Sequence, residues 1–254
     1  MSSIIFLGTG TSTGVPQIGC RCKVCQSKDS HDKRLRTSAL VETDDGRRIL
    51  IDCGPDFRQQ ALSVSFSPID AVLLTHEHYD HVGGLDDLRP FTFMKSMDIY
   101  ANDLCAESLK QRMPYCFAEH RYPGVPKISL HILQGNECME ILGMKVRPIR
   151  VMHDKMPILG YRIGNMAYIT DMSMIRDEEK SKLNGLNVLV VNALRKTFHH
   201  SHQTLQEALH LIGEVQPKQA YLVHMSHEMG LHAEVEKELP KGVHLAYDGL
   251  RVQF

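Results

Sequence analysis

The chain has 254 residues, 43% of them hydrophobic, which is enough for a full core in one large domain or two small ones. A formal net charge of −1 lacks the basic footprint of a nucleic-acid binder, and no stretch approaches the roughly 18 apolar residues of a membrane span. The opening MSSIIFLG has no basic flank and too short an apolar run for a signal peptide, and seven cysteines is an odd count; thiols or metal ligands in a cytoplasmic protein are expected rather than a disulfide framework.

In chain order, strand-like runs fall at 4–7, 38–43, 48–52, 71–75, 98–101, 127–133, 144–151, 159–163, 166–170, 187–192, 219–224 and 243–246. The best helical pattern is 204–215, where Leu205, Ala208, Leu209, Ile212 and Val215 form one apolar stripe. Weaker patterns cover 103–112 and 232–239. DEEK at 177–180 reads as a solvated turn, and the methionines read as core filler. With no repeat and no linker, one domain over 1–254 is expected, built from two mixed sheets with helices outside.

THEHYDHVGG, residues 75–84, follows an apolar run and places His76, His78, Asp80 and His81 within six positions. Imidazole and carboxylate at that density on a strand-end loop suit zinc or a similar divalent ion. Gly83 and Gly84 are expected to let the backbone turn tightly before a short helix. His153, Asp171 and His224 each end a further strand-like run, so four strands deliver His or Asp at their C-terminal ends. Seven donors exceed one tetrahedral site and suit two ions with a shared bridge, the standard device for phosphate-ester hydrolysis.

GCRCKVC, residues 19–25, offers Cys20, Cys22 and Cys25, three thiolates of a closed zinc site. His227 in HMSH is the natural fourth ligand, with His232 as a competitor. Glycines 8, 10 and 14 in GTGTSTG lack the Lys of a P-loop; a flexible turn passing under the metal site is expected. Three histidines, His199, His200 and His202, precede the 204–215 helix, where free N–H groups could meet an anion, or where Ser201 or Thr204 could cap it. Cys53, Cys105, Cys116 and Cys138 show no ligand spacing.

THEHYDHVGG, with LIDCG at 50–54 and the later His153, Asp171 and His224, resembles the metallo-β-lactamase-fold hydrolases over nearly the whole chain. The resemblance implies a four-layer αββα sandwich. It implies one ion on His76, His78 and His153, another on Asp80, His81 and His224, Asp171 as the bridge, and Asp52 orienting a liganding His. Lactamases usually carry Cys where Asp171 stands, so Asp171 points toward the phosphoesterase or thioesterase branches. GTGTSTGVPQIGCRCKVC with HMSHE further resembles the phosphoribosyl cyclic phosphodiesterases of the phosphonate-degradation (carbon–phosphorus lyase) pathway. That similarity implies a structural zinc beside a dinuclear Mn or Zn site. It also implies a general-acid role for His202, which lies 22 residues before His224.

The expected activity is hydrolysis of a small, cyclic phosphodiester by a hydroxide bridging two ions. Asp80 would take a proton from the nucleophile and His202 would protonate the leaving alkoxide. The expected partner is a small molecule, without membrane or nucleic acid; a homodimer stays open. A tRNA 3′-end-processing endonuclease is the same-fold alternative. Its family carries a basic arm, for which the 17 residues between His153 and Asp171 leave no room. A non-catalytic metal-binding protein is the alternative of another class.

Overall fold

The computed structural model describes residues 1–93, 95–120 and 122–254. Its strands are Ser3–Gly8 (β1), Ser38–Glu42 (β2), Arg48–Ile51 (β3), Ala71–Leu73 (β4), Met97–Ala101 (β5), Ile128–Ile132 (β6), Met139–Ile141 (β7), Met144–His153 (β8), Met156–Ile163 (β9), Met166–Ile169 (β10), Met174–Ile175 (β11), Val188–Asn192 (β12), Gln219–Val223 (β13), Val243–Leu245 (β14) and Arg251–Gln253 (β15). One sheet runs β15-β1-β2-β3-β4-β5-β6; the other runs β11-β8-β9-β10-β12-β13-β14, with β7 paired to β8. Both are mixed: β3 through β6 are parallel, as are β10, β12, β13 and β14, while the remaining pairs are antiparallel.

Period-two alternation sorts each strand between two apolar layers. Ile4, Phe6, Ile49, Ile51 and Leu73 of the first sheet meet Tyr161, Tyr168, Val190 and Val223 of the second in a buried central layer. Their neighbours Ile5, Leu7, Leu50 and Val72 face outward to Phe57, Cys105 and Leu109 of the helices Phe57–Ser63 and Asp103–Arg112. On the far side, Leu189, Val191 and Leu222 meet Leu205, Ala208, Leu211 and Ile212 of the helix Leu205–Val215. This is the expected αββα sandwich.

The sequence pattern missed β7, β11 and β15, which have two or three residues each. It also misjudged DEEK. Asp177–Lys180 is a helical turn that buries Glu179, whose carboxylate accepts from Arg150 Nε at 2.8 Å and pairs with Lys182 Nζ at 2.6 Å. The pattern His232–Leu239 is a short helix, His232–Val235, continued by a 3-10 turn. Between His153 and Asp171 lie only β9, β10 and their connections, so no arm protrudes there. Among the described residues, no helix is long and apolar enough to cross a membrane.

Candidate metal centre

The C-terminal ends of β3, β4, β8, β10 and β13 lie along one edge of the sandwich, and they deliver Asp52, His76, His153, Asp171 and His224. Three of these strands end in a left-handed residue that is not glycine: Asp52 at φ 60°, Asp171 at φ 58° and His224 at φ 57°. The αL region costs a residue with a Cβ roughly 1–2 kcal/mol. Such strain persists only where surrounding bonds over-determine it. Here the turn at Asp171 is bracketed by Asn192, whose Oδ1 accepts from Met172 N–H at 2.8 Å and whose Nδ2 donates to Met172 O at 3.0 Å.

The HxHxDH loop enters a one-turn helix, Tyr79–Val82, which itself carries Asp80 and His81. Gly83 and Gly84 thus join this turn to the 3-10 helix Leu85–Phe91, the short helix expected after them. Neither glycine has positive φ (−65° and −101°), so tight turning is not their use. A Cβ on Gly84 would sit 2.0 Å from Gly54 O, and one on Gly54 would sit 2.0 Å from Asp80 O. The glycines of LIDCG and HVGG thus let the two loops stack backbone on backbone, where Cys53 N–H donates to His81 O at 2.7 Å.

Donor atoms converge in three groups, each with its ligand atoms within 4.8 Å of one another: His76, His78 and His153; Asp80, His81, Asp171 and His224; and His153, Asp171 and His202. Asp171 spans the first two. Its Oδ2 lies 3.9 Å from His76 Nε2, while its Oδ1 lies 3.4 Å from His81 Nε2 and 3.0 Å from His224 Nδ1. Apart from His78, which is exposed, and His202, which is partly exposed, these residues are buried.

Four of the imidazoles, His76, His81, His153 and His224, are oriented through their other nitrogen. His81 Nδ1–H donates to Asp52 Oδ2 at 2.7 Å. His76 Nδ1–H donates to Thr75 Oγ1 at 2.9 Å, and Thr75 Oγ1–H donates to Asp52 Oδ2 at 2.9 Å. Asp52 therefore orients a histidine in each of the first two groups, one directly and one by relay. His153 Nδ1–H donates to Ser201 O at 2.8 Å, and His224 Nε2 hydrogen-bonds Thr11 Oγ1 at 3.2 Å. Thr11, Thr75 and the Ser201 carbonyl were not singled out from sequence. Thr75 opens the motif and Thr11 sits in GTGTSTG, but nothing in their residue types marks them.

The inward nitrogens, His76 Nε2, His81 Nε2 and His224 Nδ1, are buried without a hydrogen-bond partner. Burial, then the neighbouring His81, holds His76 well below the usual imidazole range, leaving it neutral with a free lone pair. Burial also opposes charge on His81, yet Asp171, Asp80 and Asp52 around it outweigh that and raise it. Three carboxylates about one ring form a place that demands positive charge. Orphaned inward nitrogens beside clustered carboxylates fit divalent ions.

A separate cluster lies at the cysteine loop. His227 Nδ1 is 3.3 Å from Cys22 Sγ and 3.6 Å from Cys20 Sγ, and Cys25 completes a set within 4.8 Å. The N–H of Cys25 donates to Cys22 Sγ, and that of Gln17 donates to Cys25 Sγ, both at 3.4 Å. The Cys25 N–H is the main cause that brings Cys22 down to about 6, whereas burial raises Cys25 to about 11. His232 is elsewhere: it stacks on His31 at 4.8 Å and its Nδ1 lies 3.2 Å from Arg34 Nη2. GTGTSTG does pass beside the site, held by Gly10 N–H to Leu35 O (2.8 Å) and Thr11 N–H to Met225 O (3.0 Å).

His202 stands in the cleft, its ring 4.7 Å from that of His153 and 4.9 Å from that of His224, with Nδ1 4.0 Å from Asp171 Oδ2. Burial, reinforced by His224, pushes it down to about 3. The helix behind it is not an open anion site. Thr204 and Glu207 form a capping box, and Leu205 N–H donates to Arg195 O at 2.9 Å.

A beta-lactamase superfamily domain matches residues 47–225, so the chain belongs to that superfamily, and its fold is that of a metal-dependent hydrolase. Within that class it is PhnP-like. The crystal structure of a diphosphatase from the PhnP family is 40% identical with a TM-score of 0.93, covering 100% of this chain and 97% of that one. An octanoyltransferase of Porphyromonas gingivalis (strain ATCC BAA-308 / W83) is 48% identical over 97% of this chain; the chain spans 50% of that relative's length. Zinc-bound PqqB from Methylobacterium extorquens shares the fold, with 23% identity and a TM-score of 0.80 over 99% of this chain and 100% of that one.

Proposed function

We propose that the chain hydrolyses a small phosphodiester, with a cyclic phosphodiester such as a phosphoribosyl cyclic phosphate as the best substrate. One observation carries this reading: Asp171 faces two neighbouring donor groups at once, one carboxylate oxygen toward each. His76, His78 and His153 would hold one divalent ion (zinc or manganese), Asp80, His81 and His224 a second, and Asp171 both. Cys20, Cys22, Cys25 and His227 would hold a structural zinc. Divalent ions so placed supply Lewis acidity, acidify water and offset charge on a phosphoryl oxygen.

The chain's own groups do the rest. Asp52 fixes His76 and His81 with Nε2 inward, and Asp80 is placed to take a proton during attack. His202 is outside both ligand sets and lies beside them, where it can protonate a departing alkoxide. Its burial keeps it neutral in the free site; the negative charge of a bound phosphate favours its protonated form. The PhnP-family neighbour is a diphosphatase, which supports a second reading, hydrolysis of a diphosphate linkage.

The test is a screen of cyclic phosphodiesters, linear phosphodiesters and diphosphate-linked compounds with Mn- and Zn-loaded protein, followed by phosphorus NMR. Fastest turnover of a cyclic phosphodiester supports the reading. Turnover of diphosphate linkages alone replaces it with the second. Ion-loaded protein inert to every class leaves a metal-binding protein.

A further inference from the structure

Residues 194–204 form a loop closed at its neck by Leu194 N–H to Gln203 O and Leu205 N–H to Arg195 O, both 2.9 Å. The loop carries His202 into the cleft and supplies the Ser201 carbonyl that orients His153. Its tip has no apolar anchor at Phe198, which is 75% exposed. One side chain gathers the carbonyls of the tip. Arg195 Nε–H donates to Thr197 O at 3.3 Å and Nη2–H donates to Phe198 O at 2.9 Å. The third arm, Nη1, pairs with Glu228 Oε2. Glu228 follows His227 in the chain, and Ser226 N–H donates to Leu194 O at 2.9 Å, so the cysteine cluster and the loop share a base.

The Arg195 side chain is 27% exposed and Glu228 48%, so their ion pair, like the half-exposed Lys196–Glu238 pair, adds little by charge alone, and the hold on the loop lies in the guanidinium's bonds to its two carbonyls. A planar guanidinium can serve three acceptors in fixed directions; a lysine ammonium on a flexible stem cannot reproduce that fork.

We infer that Arg195 is a positioning residue: braced on Glu228 beside the cysteine cluster, it shapes the 194–204 loop so that His202 and the Ser201 carbonyl keep their places at the catalytic cleft. Nothing in this role requires Arg195 to touch substrate. Only the activity arm of its test rests on the proton-donor reading of His202.

The experiment compares Arg195→Ala, Arg195→Lys, His202→Ala and the double variant Arg195→Ala/His202→Ala in metal-loaded, full-chain protein. The substrates are a diester with an alkyl leaving group and one with p-nitrophenolate. Arg195→Ala should lower kcat about 10–100-fold on the alkyl substrate, the range for losing support behind a site residue. KM should stay nearly constant, p-nitrophenolate release should suffer less, and Arg195→Lys should recover part of the loss. The double variant should be only slightly slower than His202→Ala alone, because most of both losses is the same contribution and the remainder is the Ser201 carbonyl's hold on His153. Multiplying losses in the double variant, or equal losses on both substrates, would overturn the link to His202. Independently, amide exchange in peptides covering 197–202 should rise about tenfold or more in Arg195→Ala while the zinc of the cysteine cluster is retained. Unchanged exchange would overturn the clamp itself. If wild-type protein is inert to all phosphodiesters, the proton-donor reading falls and the exchange result still decides the clamp.

Discussion

The strand-end cleft and the cysteine loop gather donors by opposite means. In the cleft, donors carried by four strand ends, their loops and the 194–204 loop, spread from His76 to His224, converge with all but His78 and His202 buried, and two of them, Asp171 and His224, are held left-handed. In the cysteine loop, three donors come from six consecutive residues, half-exposed, and only His227 arrives from afar. The cleft is built by the sandwich and can be pre-shaped without an ion. The loop has little apolar packing of its own, so an ion bound there stabilises the local fold. Its neighbour Ile18 is 96% exposed. Removing a donor should therefore cost chemistry in the cleft and stability in the loop.

The sharpest break of that contrast is Asp171→Ala. It removes the one carboxylate facing both donor groups, so turnover should fall by more than the roughly 10²–10⁴-fold expected for losing a proton donor. Bound ion content should fall with it, while the far-ultraviolet circular dichroism stays that of the sandwich. Wild-type turnover with two ions retained would end the dinuclear account.

His202→Ala comes next, with a loss of roughly 10²–10⁴-fold on substrates with a poor alkoxide leaving group. Ion content should not change, and the loss should shrink for p-nitrophenyl esters. Equal losses on both types would make His202 a phosphate-binding group. Asp52→Asn is isosteric, and Asn tolerates the left-handed backbone at this position. It should weaken ion affinity about 10–100-fold, the usual effect of losing the partner behind a liganding histidine. An unchanged affinity by competitive chelator titration would show that Thr75 and packing suffice to hold His76 and His81.

Cys22→Ser should have the smallest effect on chemistry and a clear one on stability. Its melting temperature should drop, as should the wild-type value after chelation at the cysteine cluster. At a temperature where both variants stay folded, it should retain far more turnover than Asp171→Ala. The reverse order would make the cysteine loop part of the catalytic machinery.

The two regions also differed in how readily the sequence revealed them. The cleft was readable because apolar strand runs end in His or Asp, and because HxHxDH packs four donors into six positions. The cysteine spacing announced itself locally, and His227 was separable from His232 only once the fold placed His232 against His31 and Arg34. Hidden were features that depend on approach between distant segments. The Thr75 relay to Asp52 is one, and the stacking of Gly54 on the Asp80 carbonyl is another. Glu179 looked solvated because its neighbours in DEEK are charged, whereas its partners Arg150 and Lys182 lie on other elements or a later turn. The two- and three-residue strands β7 and β11 add only short edges, too brief to show a period.

The central claim is that Asp171 lies between two ions and that a third sits apart in the cysteine loop. Anomalous diffraction at the zinc and manganese edges, on crystals of protein never exposed to chelator, tests it directly. The account predicts two peaks flanking the Asp171 carboxylate and one peak enclosed by Cys20, Cys22, Cys25 and His227. A single ion at Asp171, or an empty set of cysteines, would contradict it.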